Sequence, residues 1–458
     1  MPTRRELLSA GTGAALALPA ANWAEGVTDG PRPRLPDLGF LRNDPLVDAD
    51  RARFFMDQLG VDALVVTHPS NVCYLTNHWP QLDRMGFRNS MMAVFPRDPA
   101  RPVALIMHAF SYYYTHSPED AFSNRQVYPY TSAVDSGIDV ERAEEEPAAN
   151  SGDGFRIVDE ALIRPRELQR RRSMQSAQSP APSPSWALAR ALNALGLEKA
   201  NLGIDAPVLD DVLRRREMGE KIIPAENVLR RIRFVKSPTE IRLMRLAAQA
   251  NVEAAMAVVH RARKLGSTRA LRAEFLSEAA RRGNHGVFVV INGTSSELVD
   301  EPIKDGMAFL LDCVSHCRFY HGDFGRTVFI GEPHARMQRG CEAIATAWRE
   351  IQEQLRPGLR FADVTRIGRE CIRRQGLDLN VAFRPHSVGL FHTDHPQPGI
   401  LGPRVPDELV IEENMILSVD CPILEAGIGG TAHLEDLMLI RASGNEAIHE
   451  VPPSVLMV

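Results

Sequence analysis

The sequence predicts two domains, an α/β domain in the N-terminal part and a C-terminal domain in which long helices alternate with short apolar strands. The length of 458 residues is the first observation, because a single hydrophobic core rarely extends over so long a chain. The second is a set of short apolar runs separated by helical stretches in the first half, which is typical of an α/β sheet. The third is a helix start at residues 237–240, where a new series of helices and strands begins.

Composition and charge restrict the class of protein. Hydrophobic residues make up 44% of the chain and charged residues 24%, values typical of soluble globular proteins. The formal net charge of −5 gives no electrostatic reason to expect a nucleic acid as partner. No stretch of about 20 apolar residues follows the N-terminus, so we expect no membrane span.

The first 25 residues carry an export pattern. The run Thr3-Arg4-Arg5-Glu6-Leu7-Leu8 places paired arginines ahead of a mildly apolar stretch that reaches about Ala21. This pattern resembles a twin-arginine signal, which would be removed from the mature protein; a disordered basic tail is the alternative. We therefore expect residues 1–25 to be a signal peptide and the protein to be periplasmic or extracellular.

The predicted first domain covers residues 35–228. A helical start at residues 48–59 is followed by apolar runs at residues 63–66, 91–95 and 103–107, which predict strands. Residues 176–184 are rich in serine and proline and predict a loop inside this domain.

The predicted second domain covers residues 229–458, and its first long helix has a recognisable start. Ser237 can cap the helix, Pro238 suits the first helical position, and Glu240 follows the cap by three residues. Apolar residues at helical spacing then give this helix one buried face.

Five residues of the second domain form a candidate metal site. An apolar run ends at Asp312, Asp323 follows eleven residues later, His386 lies near a glycine, Asp420 ends another apolar run, and Glu435 precedes a third. Taken singly, each acid is more often a cap, a turn residue or an ion-pair partner. Together, four carboxylates and one imidazole form a hard anionic site suited to two divalent ions.

In this order the residues resemble those of the creatinase/aminopeptidase superfamily with the pita-bread fold, which includes Xaa-Pro aminopeptidases and prolidases. The resemblance spans roughly residues 45 to 450. It includes the domain junction at residues 230–241, the paired aspartates with Arg326-Thr327 behind them, and the His-x-x-Gly-Leu run at residues 386–390. The resemblance implies a creatinase-like N-terminal α/β domain, an α+β pita-bread catalytic domain and a homodimer.

The resemblance also implies roles for the five residues. Asp312 would bind one ion, Asp323 and Glu435 would bridge two, and His386 and Asp420 would complete the second. The ions would be manganese, zinc, cobalt or iron. A hydroxide shared between them would attack the substrate carbonyl, and Asp420 would transfer the proton.

The chain departs from the family pattern at four places, which bear on substrate more than on metal. Asp420 stands where glutamate is usual, and residues 292–297 lack the histidine that aminopeptidase members carry there. The run after His386 is one residue shorter than usual, so His392 is the best match to the second active-site histidine and His395 is its rival. His433 replaces an arginine whose fork suits a substrate carboxylate.

These observations predict a metallohydrolase of a small peptide or amide substrate, with Xaa-Pro peptidase as the default activity. One alternative is a metal-dependent lyase of the same fold that acts on dimethylsulfoniopropionate, and another is a hydrolase of a non-peptide amide. The lyase chemistry relies on a carboxylate after the metal-binding histidine, where this chain has His392, and this difference favours hydrolysis. A metal-free relative such as creatinase has no need for so many clustered negative charges.

Overall fold

The computed structural model describes residues 35–80, 83, 85–115, 125–134, 137–150, 158–168, 179–397, 406–449 and 451–458. The export signal predicted at residues 1–25 lies outside this part of the chain. The helices are α1 (Ala49–Leu59), α2 (Pro69–Thr76), α3 (Ala109–Thr115), α4 (Pro184–Ala194), α5 (Pro207–Arg215), α6 (Glu226–Phe234), α7 (Pro238–Val259), α8 (Ala262–Leu265), α9 (Thr268–Arg281), α10 (Ala335–Gln354) and α11 (Phe361–Arg374). The strands are β1 (Ala63–Val66), β2 (Met91–Pro96), β3 (Val103–His108), β4 (Arg125–Tyr130), β5 (Asn201–Ile204), β6 (Lys221–Pro224), β7 (His285–Ile291), β8 (Ala308–Cys317), β9 (Tyr320–Phe329), β10 (Arg384–Ser387), β11 (Ile416–Asp420), β12 (Leu437–Arg441), β13 (Gly444–Ala447) and β14 (Leu456–Met457).

The first part of the chain forms a six-stranded mixed sheet in the order β4-β3-β2-β1-β5-β6. Strand β1 pairs antiparallel with β2 and parallel with β5, and all of its residues are buried, as expected for an apolar run at the centre of a sheet. Helices α2 and α4 pack on this sheet. The predicted α/β class of the N-terminal part is therefore correct.

The second part contains two four-stranded sheets. One is antiparallel, in the order β10-β11-β12-β13, and the other has the order β14-β9-β8-β7. Helix α7 packs on β8 and β9, whereas α10 and α11 pack against each other. The sheets are joined where Gly325 and Glu435 exchange two backbone hydrogen bonds, of 3.2 and 3.0 Å. This junction places the ends of strands from both sheets in one region.

Helix α7 begins as its sequence predicts. The Ser237 hydroxyl accepts a hydrogen bond from the Glu240 amide at 3.1 Å, and the Glu240 carboxylate accepts one from the Ser237 amide at 2.9 Å. The boundary predicted between residues 228 and 229 falls inside α6, where Leu229 and Phe234 belong to two different hydrophobic cores. Neither α7 nor any other helix in the described ranges has the apolar length needed to cross a bilayer.

Strand β8 is longer than the apolar pattern predicts. Asp312, expected at the end of a strand, lies in the middle of one that continues to Cys317. The strand continues because residues 313–317 pair with β9 across a hairpin. The two residues of its turn, Arg318 and Phe319, have φ values of 50° and 71°, the left-handed conformation that a tight two-residue hairpin requires.

Candidate metal centre

The β8–β9 hairpin places two carboxylates on one face of the sheet. Asp312 is opposite Gly325, and Asp323 is opposite Val314, so the two aspartates are diagonal neighbours. Asp323 is only 1% exposed. The local pairing of one hairpin therefore brings together two acids that are eleven residues apart in sequence.

The second sheet supplies a histidine and a third carboxylate. His386 on β10 is opposite Ser418 on β11, and Asp420 lies two residues further along β11 on the same face. The His386 Nε2 atom is 3.6 Å from Asp323 Oδ2, 3.7 Å from Asp420 Oδ1 and 3.5 Å from Glu435 Oε1. All five residues of the predicted site thus meet where the two sheets join.

Glu435 is held on both oxygens of its carboxylate. The Ser418 hydroxyl donates a hydrogen bond of 2.6 Å to Oε1, and the ring Nε2 of His433 lies 3.0 Å from Oε2. The Arg326 guanidinium donates to the Glu435 carbonyl oxygen at 2.8 Å and fixes the backbone behind it. The His433 ring is thus directed into the site.

Several buried polar atoms of this cluster (Asp312, Asp323, His386, Asp420 and Glu435) have no hydrogen-bond partner. They are Asp312 Oδ1, both carboxylate oxygens of Asp323, and both ring nitrogens of His386. Within the described residues, no lysine or arginine forms an ion pair with any of the four carboxylates. Buried carboxylates without partners are costly unless a cation binds them.

In the part of the chain that the structure describes, candidate ligand atoms fall into three overlapping groups, in each of which they lie within 4.8 Å of one another. The groups are Asp312-His433-Glu435, His386-Asp420-Glu435 and Asp323-His386-His392. The shared members, Glu435 and His386, link the groups into one site. The residues present therefore fit divalent metal ions, as hard oxygen donors with a few imidazoles do.

Electrostatic crowding in the cluster shifts several pKa values. Burial and the neighbouring Glu435 carboxylate raise the pKa of both Asp312 and Asp420. Burial and Asp323 also act to raise the pKa of Glu435, but the adjacent His386 and His433 rings hold it at about 2. The carboxylates therefore repel one another, and divalent cations bound between them would relieve this repulsion.

The structure separates the two candidate histidines of the loop that follows β10. His392 Nε2 lies 3.3 Å from Asp323 Oδ2, and its ring centre is 4.9 Å from that of His386. His395 is fully buried, and its ring lies edge-on to Phe361 at 6.4 Å. Of the two, only His392 is within reach of the cluster's described carboxylates.

A buried ion pair anchors this loop. Arg233 on α6 donates from Nε to both oxygens of Asp394, at 2.7 and 3.0 Å, and both side chains are fully buried. The Asp394 carboxylate also accepts a hydrogen bond of 3.2 Å from the Leu390 amide. Sequence reasoning missed this pair because 161 residues separate its members. It also missed Ser418, although a position two residues before Asp420 on a strand indicates the same face.

The segment that lacks the expected histidine is a hairpin tip. Asn292 and Gly293 both have positive φ, 52° and 77°, and Ile291 bridges Thr294 across them. Asn-Gly is the residue pair that this turn favours. The Asn292 amide donates to Glu301 at 2.6 Å and accepts from Thr431 at 3.1 Å, so both ends of the amide are used in holding the turn.

Comparisons with known proteins show which proteins this chain is similar to. Residues 242–442 match the family model described as metallopeptidase family M24. The chain is 28% identical over 251 residues to a probable dipeptidase PepE of Mycobacterium tuberculosis, covering 53% of this chain and 65% of that relative. It is 24% identical over 240 residues to an Xaa-Pro dipeptidase of Pyrococcus furiosus, covering 50% and 67%. The match to PepE thus spans just under two thirds of the relative's length.

Solved structures show the same fold. The prolidase of Pyrococcus horikoshii matches with a TM-score of 0.60 at 18% identity, covering 88% of this chain and 98% of that one. The Xaa-Pro dipeptidase of Bacillus anthracis matches with a TM-score of 0.62 at 18% identity, covering 90% and 99%. These likenesses confirm the predicted pita-bread fold.

Proposed function

We propose that this protein is a metal-dependent hydrolase of peptide or amide bonds that works with two divalent ions. The observation that carries the proposal is the convergence of four carboxylates and His386 on one buried site, where Asp312 Oδ1, both oxygens of Asp323 and both ring nitrogens of His386 lack hydrogen-bond partners. The match to metallopeptidase family M24 supports it.

The geometry supports a division of the residues between two ions. Asp312 and Asp420 lie in different ligand groups, whereas Glu435 is common to both groups and is the natural bridge. Asp323 lies close to His386 and is the second candidate bridge. Divalent ions held there would lower the pKa of a bound water and polarise a substrate carbonyl.

Two side chains are suited to the proton transfers. Asp420 and His392 both line the cleft beside the cluster, and the Asp420 side chain is 32% exposed there. A carboxylate at this position can take a proton from the attacking water and deliver it to the leaving amine. His392 can donate a hydrogen bond to the carbonyl oxygen as negative charge develops on it. Asp420 is shorter than the usual glutamate, so we expect its reach to limit the rate of proton transfer.

Xaa-Pro peptides are the default substrates because similar proteins carry the names Xaa-Pro dipeptidase and prolidase. His433 is bound to Glu435 and offers no fork to a substrate carboxylate. We therefore propose peptide or amide hydrolysis without a strict requirement for proline.

A substrate panel tests the proposal. The purified protein is supplied separately with manganese, zinc, cobalt and iron and is assayed on Xaa-Pro dipeptides, longer Xaa-Pro peptides, N-acyl amino acids and dimethylsulfoniopropionate. We expect metal-dependent hydrolysis of an amide bond that Asp323→Ala abolishes and Asp98→Asn, a change at an exposed ion pair with Arg101, leaves intact. Turnover of the sulfonium compound alone would show that the protein is a lyase.

We also propose that the protein is exported through a twin-arginine route, on the basis of Arg4 and Arg5. Changing both to lysine should keep the full chain in the cytoplasm of a bacterial host with that pathway, as measured by cell fractionation. Equal export of the variant and the parent would contradict the proposal. The homodimer that the resemblance implies is tested by sedimentation of the purified protein.

A further inference from the structure

A cleft of about 1040 Å³ lies beside the metal-binding cluster. His386, His392 and Asp420 line it at the cluster, and helix α11 and strand β10 form another part of its lining. Among the described residues, four arginines line the same cleft: Arg366, Arg369, Arg373 and Arg384.

The arginines face the cleft because of regular geometry. Arg366, Arg369 and Arg373 are three and four residues apart on α11, so they share one face of the helix and span about 10 Å. Arg384 lies two residues before His386 on β10, so both side chains point to the same side, roughly 7 Å apart along the strand. The Thr365 hydroxyl fixes the helix to the strand by donating to the Phe383 carbonyl oxygen at 2.7 Å.

Three of these arginines are available to a ligand. Arg366 forms ion pairs with Asp363 at 3.2 Å and Glu370 at 3.3 Å. Arg369, Arg373 and Arg384 are exposed and form no ion pair or side-chain hydrogen bond within the described ranges. We call these three residues the arginine wall.

The acids of the cleft do not cancel the charge of the arginine wall. The described part of the lining contains two acids, Asp407 and Asp420, and Asp420 belongs to the metal-binding cluster. The cleft therefore keeps an excess of positive charge next to the cluster. Guanidinium groups recognise carboxylates through paired hydrogen bonds, and a positively charged cleft also attracts anions from a distance.

We propose that the arginine wall selects substrates that carry a carboxylate separate from the bond to be cleaved, either a free C-terminus or an acidic side chain. This inference rests on the proposed hydrolase function and extends it to a substrate class. The arginine wall lies on the α11 and β10 side of the cleft. The His433 ring, by contrast, is bound to Glu435 inside the metal-binding cluster and does not hold a substrate carboxylate. A carboxylate can therefore be held on this side of the cleft while the scissile carbonyl lies at the cluster.

Matched substrate pairs test the proposal and separate the two sources of the carboxylate. One pair compares a peptide that has a free C-terminal carboxylate with the same peptide as its C-terminal amide. The other compares a glutamate side chain with glutamine in an otherwise identical C-terminal amide. We expect kcat/KM to be about tenfold higher for the charged member of at least one pair, mainly because its KM is lower. This preference should weaken as the salt concentration is raised. Equal kcat/KM values within both pairs would overturn the proposal.

Variants connect that preference with the wall. In Arg369→Gln/Arg373→Gln and in Arg384→Gln, the ratio of kcat/KM between charged and neutral substrates should fall toward one. The control is Arg374→Gln on the same helix, because Arg374 pairs with Glu350 and does not line the cleft. The control should keep the parent ratio. A ratio that stays at the parent value in the wall variants would contradict the assignment.

A binding measurement distinguishes failure of this inference from failure of the proposed function. Glutarate is titrated calorimetrically into the metal-loaded protein and into the same variants. In one outcome the parent protein binds glutarate, the wall variants do not, and no substrate of the panel is hydrolysed. This result would support the anion site and refute the hydrolase. Hydrolysis without charge preference and with equal glutarate binding in all variants would refute the anion site alone.

Discussion

Replacing Asp394 by asparagine removes one charge from the buried ion pair that anchors the loop carrying His392. Asp394 and Arg233 are both fully buried, and Arg233 keeps a hydrogen bond to Asn71 at 3.0 Å and an ion pair with the part-exposed Glu226 at 3.3 Å. The variant retains the shape of the side chain, but the Arg233 guanidinium loses its nearest counterion.

The expected cost follows from that geometry. Removing one member of a buried ion pair lowers the free energy of unfolding by about 3 to 5 kcal/mol. Because Arg233 keeps its contact with Glu226, we expect a loss near the lower limit, at about 3 kcal/mol. For a domain of about 230 residues this corresponds to a fall in the unfolding temperature of roughly 6 to 12 °C. The loop should also hold His392 less firmly, so kcat should fall even where the variant is fully folded.

Thermal unfolding at neutral pH measures the effect. Asp98→Asn is the control, because it changes an exposed pair with Arg101 and should leave the unfolding temperature almost unchanged. The double variant Arg233→Met/Asp394→Leu removes both charges and should recover much of the loss. An Asp394→Asn variant that unfolds at the parent temperature would show that the Arg233–Asp394 ion pair does not stabilise the fold.

The same pair gives a pH dependence. Burial opposes ionisation of Asp394, but Arg233 and Lys236 hold its pKa below the ordinary value of 3.8. A carboxyl whose pKa is lower in the folded state stabilises the fold above its unfolded-state pKa, and this contribution is lost as the pH falls through the lowered value. The difference in stability between the parent and Asp394→Asn should therefore narrow only below about pH 4.

Three further variants test the surroundings of the site. Gly325→Ala would place a Cβ atom 2.3 Å from His433 Cδ2 and 2.9 Å from Glu435 Cβ, so metal affinity should fall at least about tenfold while circular dichroism stays unchanged. Arg326→Lys loses the fork that holds the Glu435 carbonyl oxygen and should lower metal affinity by about 10- to 100-fold in a competition assay with a chelator. Trp348→Ala in a fully buried core position should cost about 3 to 5 kcal/mol in urea unfolding without changing the metal content of the folded fraction.

The features that sequence predicted well are those determined over short distances along the chain. The capping box at Ser237 needs only four consecutive residues, and all of its hydrogen bonds are formed. Asp312 and Asp323 meet because one hairpin fixes their register, which the alternation of strand residues already indicates. The apolar run at residues 63–66 is a fully buried strand with those bounds.

The features that sequence did not predict depend on how distant segments pack. The continuation of β8 beyond Asp312 comes from pairing with β9, which a count of apolar residues does not detect. The choice between His392 and His395 follows from the loop conformation that Arg233 fixes from another part of the chain. Position 433 carries histidine where the family resemblance leads us to expect arginine, but only the structure shows that the ring is bound to Glu435.

The arginine wall has the same origin. Arg369 and Arg373 are ordinary surface residues in the sequence of α11, and the periodicity of the helix indicates only that they share a face. Their relation to Arg384 and to the metal-binding cluster depends on the docking of α11 against β10.

The metal content of the purified protein shows whether the cluster binds two divalent ions. After expression with excess metal and removal of loosely bound ions, elemental analysis should find about two equivalents of divalent metal per chain. Asp323→Ala should lose at least one equivalent, and the exposed control Asp98→Asn should lose none. A parent protein that contains no divalent metal under these conditions, or an Asp323→Ala variant with the full parent content, would contradict the assignment of the site.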